Sequence, residues 1–284
     1  MIFNNVIIIG SGYMANKVLD LLLSIRNKEL YMFELKCLSY KETNFSSFGL
    51  ICKKYDIYYY NFIDEKELDN YFINEIINSN NTLIISANNL YLFKKELIEK
   101  KNCKIINFHD SIIPKNRGMN AVMWSIYNDE KKTGITWHEV DSSIDGGKII
   151  EQEEITIEEN DTFLLLTNKL QTLGITVFSD KIYDILNWNI KYKNSITNIN
   201  SIHKKNEFPN NLYIDHNWNF NELYRFLRSC DSGILNLIPK CKIIIDDKLY
   251  EIFGYSTKKI KDSDKYVIYE LNDIFLKLKP CISI

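Results

Sequence analysis

A buried apolar run at residues 6–9 and further strand-like segments at 35–38, 57–61, 83–86 and 104–107 alternate with helical patterns over the first 110 residues. Runs of four or five residues suit strands buried on both faces and are too short for buried helices. The first run leads into Gly10-Ser11-Gly12-Tyr13-Met14-Ala15 and then Val18, Leu21, Leu22 and Ile25, which share one helical face. Residues 65–78 read as a further helix. Strands alternating with helices pair in parallel, because each helix carries the chain back across the sheet. The expected fold class is α/β: a doubly wound, mostly parallel sheet. Ligands of such sheets bind outside the carboxyl ends of the strands, where residues 86–91 and 107–111 would lie.

Further along, residues 119–127 read as a short helix, 134–140 and 148–157 as strands, and 161–186 as a long helix capped by Asp161 or Thr162. The polar, Asn-rich segment 188–212, with Pro209, reads as a linker. It divides a domain at 1–187 from a small β-rich C-terminal domain at 213–284. The latter should hold a helix at 219–229 and strands near 242–245, 250–255, 266–271 and 274–278, mostly antiparallel and barrel-like.

With 284 residues, 45% of them hydrophobic, the chain can bury a substantial core. Its longest apolar stretches fall far short of the roughly 18–20 residues that span a bilayer, and the N-terminus has no signal-peptide pattern. Cys37, Cys52, Cys103, Cys230, Cys241 and Cys281 form no Cys-x-x-Cys pair, which argues against a zinc site and a disulfide framework. The expectation is a reduced cytoplasm with no membrane partner. A net charge of −2 gives no general attraction for phosphate backbones. Residues 206–284 hold eleven Lys or Arg and eleven Asp or Glu, a difference of zero.

The chemistry concentrates near residues 105–150. Asn107 and His109 stand two apart at the end of an expected strand, so their side chains share a face. Asp145 sits in the loop Asp145-Gly146-Gly147, where backbone can approach closely. An amide donor, an acid or base and a carboxylate are the parts needed to pass a carbonyl carbon through a tetrahedral intermediate. His138 shares a strand face with Thr136 and Val140, and either takes part or orients the Asp145 loop. Ser111 reads as part of a turn rather than as a nucleophile, since nothing like Gly-x-Ser-x-Gly surrounds it. Arg117 reads equally as an anion ligand or a solvated charge, Trp124 and Trp137 as core aromatics, and His203 and His216 as solvated. Gly10-x-Gly12-x-x-Ala15 fits a dinucleotide fingerprint, yet a tight strand-to-helix turn needs small residues anyway.

This block resembles the signature of the folate-dependent formyltransferases: Asn-x-His, Ser-x-x-Pro, Gly, Gly-x-Thr-x-His and Asp-x-Gly. Here the positions are Asn107, His109, Ser111, Pro114, Gly118, Gly134, Thr136, His138, Asp145 and Gly147. The match is sharp over residues 105–150 and weaker over most of the chain. The resemblance implies N10-formyltetrahydrofolate as co-substrate, a primary amine as acceptor and no metal. It implies catalysis by Asn107, His109 and Asp145. It further implies a folate slot contacted by Asn88, Leu90, Tyr91, Phe93, Asp141 and Ile144, chiefly through backbone, and acceptor contacts from Gly10, Tyr13, Ser111, Arg117 and Met119. Among such enzymes, those acting on dTDP- or other nucleotide-linked amino sugars for surface polysaccharide fit this size and uncharged tail. Formylation of a carrier-bound aminoacyl group or of initiator methionyl-tRNA is the alternative, and the even charge of the tail weighs against a nucleic-acid partner. A formyltetrahydrofolate hydrolase and an NAD-dependent dehydrogenase are the remaining readings. Apolar edge strands in the tail make a homodimer physically reasonable.

Overall fold

The structure, a computed structural model, describes residues 3–27, 31–42, 47–78, 81–235, 237–261 and 264–281. Strand and helix alternate from the start, as the apolar runs require: β1 (Asn5–Gly10), α1 (Gly12–Asn27), β2 (Glu34–Tyr40), α2 (Ser47–Lys54), β3 (Tyr58–Phe62), α3 (Glu65–Asn78), β4 (Thr82–Ala87), α4 (Lys95–Ile98) and β5 (Cys103–His109). Both β1 and β4 are buried at every position, which is why they read as continuous apolar runs rather than as alternation. Then come β6 (Arg117–Gly118), α5 (Ala121–Tyr127), β7 (Lys132–Glu139), β8 (Ile149–Thr156), α6 (Phe163–Leu186) and β9 (Ile202–His203). The chain closes with α7 (Phe220–Ser229), β10 (Lys242–Ile245), β11 (Lys248–Ser256), β12 (Val267–Leu271) and β13 (Ile274–Pro280).

Seven strands form one sheet in the order β3-β2-β1-β4-β5-β7-β8. β1 through β5 pair in parallel, and β7 runs antiparallel to β5. The strand order turns outward in both directions from β1 and β4, so the switch-point crevice lies at their carboxyl ends. Gly10 serves the packing there: a Cβ on it would sit 1.8 Å from the Ala87 carbonyl oxygen. The turn is therefore small because two strands meet closely, which favours the plain reading of Gly10-x-Gly12-x-x-Ala15.

The chain divides into two compact units that are not consecutive in sequence: residues 1–117, 134–154 and 170–201 in one, and 118–133, 155–169 and 202–284 in the other. This differs from consecutive domains at 1–187 and 213–284, because β7, β8 and α6 each run through both units. The expected linker also behaves differently up to residue 201. Lys193 N donates to Ile149 O, Ser195 Oγ to Ile113 O and Ser201 N to Pro114 O, so the segment runs fastened to the first unit.

In the second unit β10, β11, β13 and β12 form an open antiparallel sheet rather than a closed barrel. Ile243, Ile252, Leu276 and Leu278 meet Leu223, Phe226 and Leu227 of α7 in its core. Two hairpins turn on Asp246-Asp247 and Asn272-Asp273, all four with positive φ, the backbone that matches strand twist. α7 begins with the reciprocal Asn219–Glu222 capping box. α6 is capped by Thr162, whose Oγ1 accepts from Leu165 N at 3.3 Å. His203 is not solvated as expected: its ring stacks on Trp124 at 4.3 Å and 9°, and burial lowers its pKa. Among the described residues no helix is long and apolar enough to cross a membrane.

Candidate active site

The site grows from the antiparallel pairing of β5 with β7, which sets Asn107 opposite His138 and His109 opposite Thr136. Directly opposed residues share a sheet face, so the amide and the second imidazole meet: Asn107 Nδ2 lies 3.2 Å from His138 Nε2. His138 Nδ1 lies 3.0 Å from the Glu139 carbonyl oxygen. An oxygen can only accept, so Nδ1 carries the hydrogen and Nε2 is left to accept from Asn107.

After β7 the chain must return to this end of the sheet. Gly147 permits it, since a Cβ there would sit 1.7 Å from Glu139 O. Asp141 Oδ1 accepts from Ser143 N at 2.8 Å and Ser143 Oγ at 2.6 Å, curling the loop. Asp145 itself has a φ of +46°, a left-handed conformation that aspartate tolerates better than most residues. The outcome is a carboxylate aimed inward. Oδ1 is 3.4 Å from Asn107 Nδ2 and 3.5 Å from His138 Nε2, and Oδ2 is 3.6 Å from His109 Nδ1. A carboxylate beside Asn107 also decides which way the amide faces, because a carbonyl turned toward it would repel. On the far side of the ring, His109 Nε2 lies 2.8 Å from the Asn116 carbonyl oxygen. Burial pushes the neighbouring Asp110 carboxyl up, against the lowering effect of His109.

The expected site residues separate into three groups. Asn107, His109 and Asp145 converge, and His138 joins them as the fourth member. Leu90, Ile144 and Tyr13 are large apolar side chains left exposed, at 55%, 46% and 45%. Asn88 is exposed with a φ of +56°. The remaining residues are structural as they stand. Tyr91 is buried and donates to Asp69, and Phe93 packs on Tyr91 and Phe72, so any folate contact from these two would come from backbone. Ser111 is 1% exposed and its hydroxyl donates to the carbonyls of Lys115 and Asn116. Arg117 donates to Ile144 O at 3.3 Å and to Asn200 Oδ1 at 3.0 Å. Its two terminal nitrogens thus tie the Asp145 loop to Asn200. Asp141 shapes the loop, and Met119 N donates to His203 O in the second unit. Sequence reasoning passed over Asn116, Asn200 and Ser201, which lie in polar stretches without periodicity. Among the described residues no group of three His, Cys, Asp or Glu could hold a metal ion.

A model of the formyl transferase family matches residues 40–182, just over half of the chain. The chain belongs to the formyl transferase family. Within that family, methionyl-tRNA formyltransferase of Fusobacterium nucleatum is 36% identical over 106 residues, covering 37% of this chain and 34% of that protein. GDP-perosamine N-formyltransferase of Brucella melitensis is 36% identical over 87 residues, 31% of this chain and 34% of that protein. The chain spans less than half of the length of the curated relatives it matches, from 26% to 43%. Over the whole chain the likeness is one of fold. An N-formyltransferase from Helicobacter canadensis, solved with folinic acid and dTDP-3-aminofucose, superposes with a TM-score of 0.70 at 17% identity, covering 98% of this formyl transferase family member and 100% of that chain.

Proposed function

We propose that this chain transfers a formyl group from N10-formyltetrahydrofolate to a primary amine, and that the amine belongs to a nucleotide-linked amino sugar. The observation that carries the transfer is the convergence of Asn107, His109 and Asp145 at the carboxyl end of β5. The exposed Leu90 and Ile144 suit a flat, partly apolar donor, and the exposed Tyr13 suits the acceptor. The acceptor reading is supported by the family neighbours named for sugars, one of them solved with a dTDP-linked amino sugar. It is also supported by the even charge of the tail.

The acceptor must attack as a free amine. Asp145 is the group placed to take its proton, 15% exposed at the side chain and in reach of the ring that can receive that proton next. As the new C–N bond forms and Asp145 takes up the proton, the Asn107 Nδ2 hydrogen that met Asp145 Oδ1 turns to the carbonyl oxygen while the other stays on His138, an interaction of about 3 kcal/mol at comparable oxyanion sites. His109 Nδ1 then delivers the proton to the departing folate nitrogen as its C–N bond breaks. One proton leaves the amine and one reaches the folate, so the step balances.

Tetrahydrofolate release, followed by absorbance over a panel of dTDP- and GDP-linked 3-amino and 4-amino sugars, tests the proposal. Release that depends on one sugar is the expected result and names the acceptor. Release without any amine would replace transfer by hydrolysis, and release only with methionyl-tRNA or a carrier-bound aminoacyl group would overturn the sugar.

A further inference from the structure

We infer that Ser201, through the backbone of Asn116, holds His109 in the one tautomer that lets Nδ1 carry the proton, so that Ser201 and Asn116 are positioning residues of the reaction. The inference rests on the formyl-transfer reading above.

His109 and Asn116 are both buried, and the ring's Nε2 lies 2.8 Å from the Asn116 carbonyl oxygen. Because that oxygen has no hydrogen to give, Nε2 must be the donor. The opposite tautomer would set a lone pair against the carbonyl and lose a buried hydrogen bond. Nδ1, facing Asp145 Oδ2 at 3.6 Å, is then the nitrogen left to gain and lose a proton.

The carbonyl stands where it does because Asn116 has a φ of +52°, a left-handed conformation that asparagine tolerates better than most residues and that contacts around it fix in place. Ser201, 85 positions further on, supplies that fixing. Its Oγ accepts from Asn116 N at 2.8 Å and donates to Asn116 Oδ1 at 3.2 Å. Its backbone N donates to Pro114 O at 3.0 Å, and its carbonyl accepts from Arg117 N at 2.9 Å. Four hydrogen bonds from one residue thus bracket Asn116 on both sides.

A merely structural strap would lower stability on mutation and leave the ring alone. Nitrogen-15 spectra of the histidine rings separate the two cases, since the chain has four histidines and His109→Gln identifies the signal. The wild-type chain should show neutral His109 with its hydrogen on Nε2 and the lone pair on Nδ1. In Ser201→Ala the His109 signals should move toward a mixture of tautomers. The pH profile of kcat should shift and kcat fall on the order of tenfold, the scale seen when groups that orient metal-bound histidines are lost. KM for the donor should hold, and Ser201→Thr should restore both readouts. His109 signals and a pH profile unchanged in Ser201→Ala would overturn the inference, whatever the rate. Should Ser201→Ala fail to fold, Asn116→Gly, which keeps the carbonyl and the left-handed backbone but loses Oδ1, takes its place with the same expectations. The ring spectra need no substrate. A wild-type chain that moved no formyl group would therefore refute the functional reading separately from the tautomer.

Discussion

Asn107 donates from Nδ2 to Asp145 Oδ1 across 3.4 Å, joining the end of β5 to a loop 38 positions away. The bond keeps amide nitrogen and carboxylate on the same side of the cleft. Asn107→Ala and Asp145→Asn should each lower kcat by roughly 10²–10³-fold, the cost of losing a donor or proton acceptor at an acyl-transfer centre. Circular dichroism should show both variants folded. Near-wild-type turnover in either would remove that residue from the reaction.

His138 is 2% exposed and supplies the acceptor for the second Asn107 hydrogen. His138→Phe keeps the volume and removes that acceptor, leaving a partly buried N–H unpaired at a cost of about 1 kcal/mol. Thermal denaturation should show the loss, and kcat should drop well below wild type but less than in Asp145→Asn. A rate equal to that of Asp145→Asn would make His138 a participant rather than a support.

Gly147→Ala tests the close approach that aims the Asp145 loop. The added methyl would meet Glu139 O at 1.7 Å, so backbone has to move. The expected destabilisation is about 1–3 kcal/mol by chemical denaturation, the usual cost of overpacking, together with a loss of turnover. Unchanged stability would show that the loop has room the geometry denies.

Much of this was legible in the sequence because it rests on local pattern. Buried strands such as 6–9 and 83–86 announce themselves as apolar runs, and Asn107 and His109 share a face by strand periodicity alone. Arg117, Asn116 and Ser201 were not legible in that way. Their roles depend on backbone carbonyls of Ile144, Asn116 and Pro114 meeting donors brought in by tertiary folding, and a carbonyl leaves no mark on residue type. The segment up to residue 201 looked like a linker because hydrogen bonds, rather than buried apolar side chains, hold it in place. The interleaved units escaped for a related reason: β7, β8 and α6 each run through both, and no composition shift marks the crossings.

Asp110 gives a pH-dependent prediction. Burial raises its carboxyl above the ordinary carboxylate range, so the folded state binds that proton more tightly than the unfolded chain does. Its ionisation therefore opposes folding in full above the raised pKa, and the penalty shrinks as pH falls from there toward the ordinary carboxylate value, where it is gone. Asp110→Asn should raise Tm at neutral pH and lose that advantage in acid, checked by thermal scans from neutral to acidic buffer. A variant less stable than wild type at neutral pH would contradict the sign.

Transfer of a 13C-labelled formyl group, followed by NMR with wild type and Asp145→Asn side by side, tests the central claim most directly. The account predicts that wild-type protein moves the label from N10-formyltetrahydrofolate onto the amino group of a nucleotide-linked sugar, appearing as a formamide, while Asp145→Asn leaves it on the donor. Label released as formate, or a formamide made equally fast by both proteins, would contradict it.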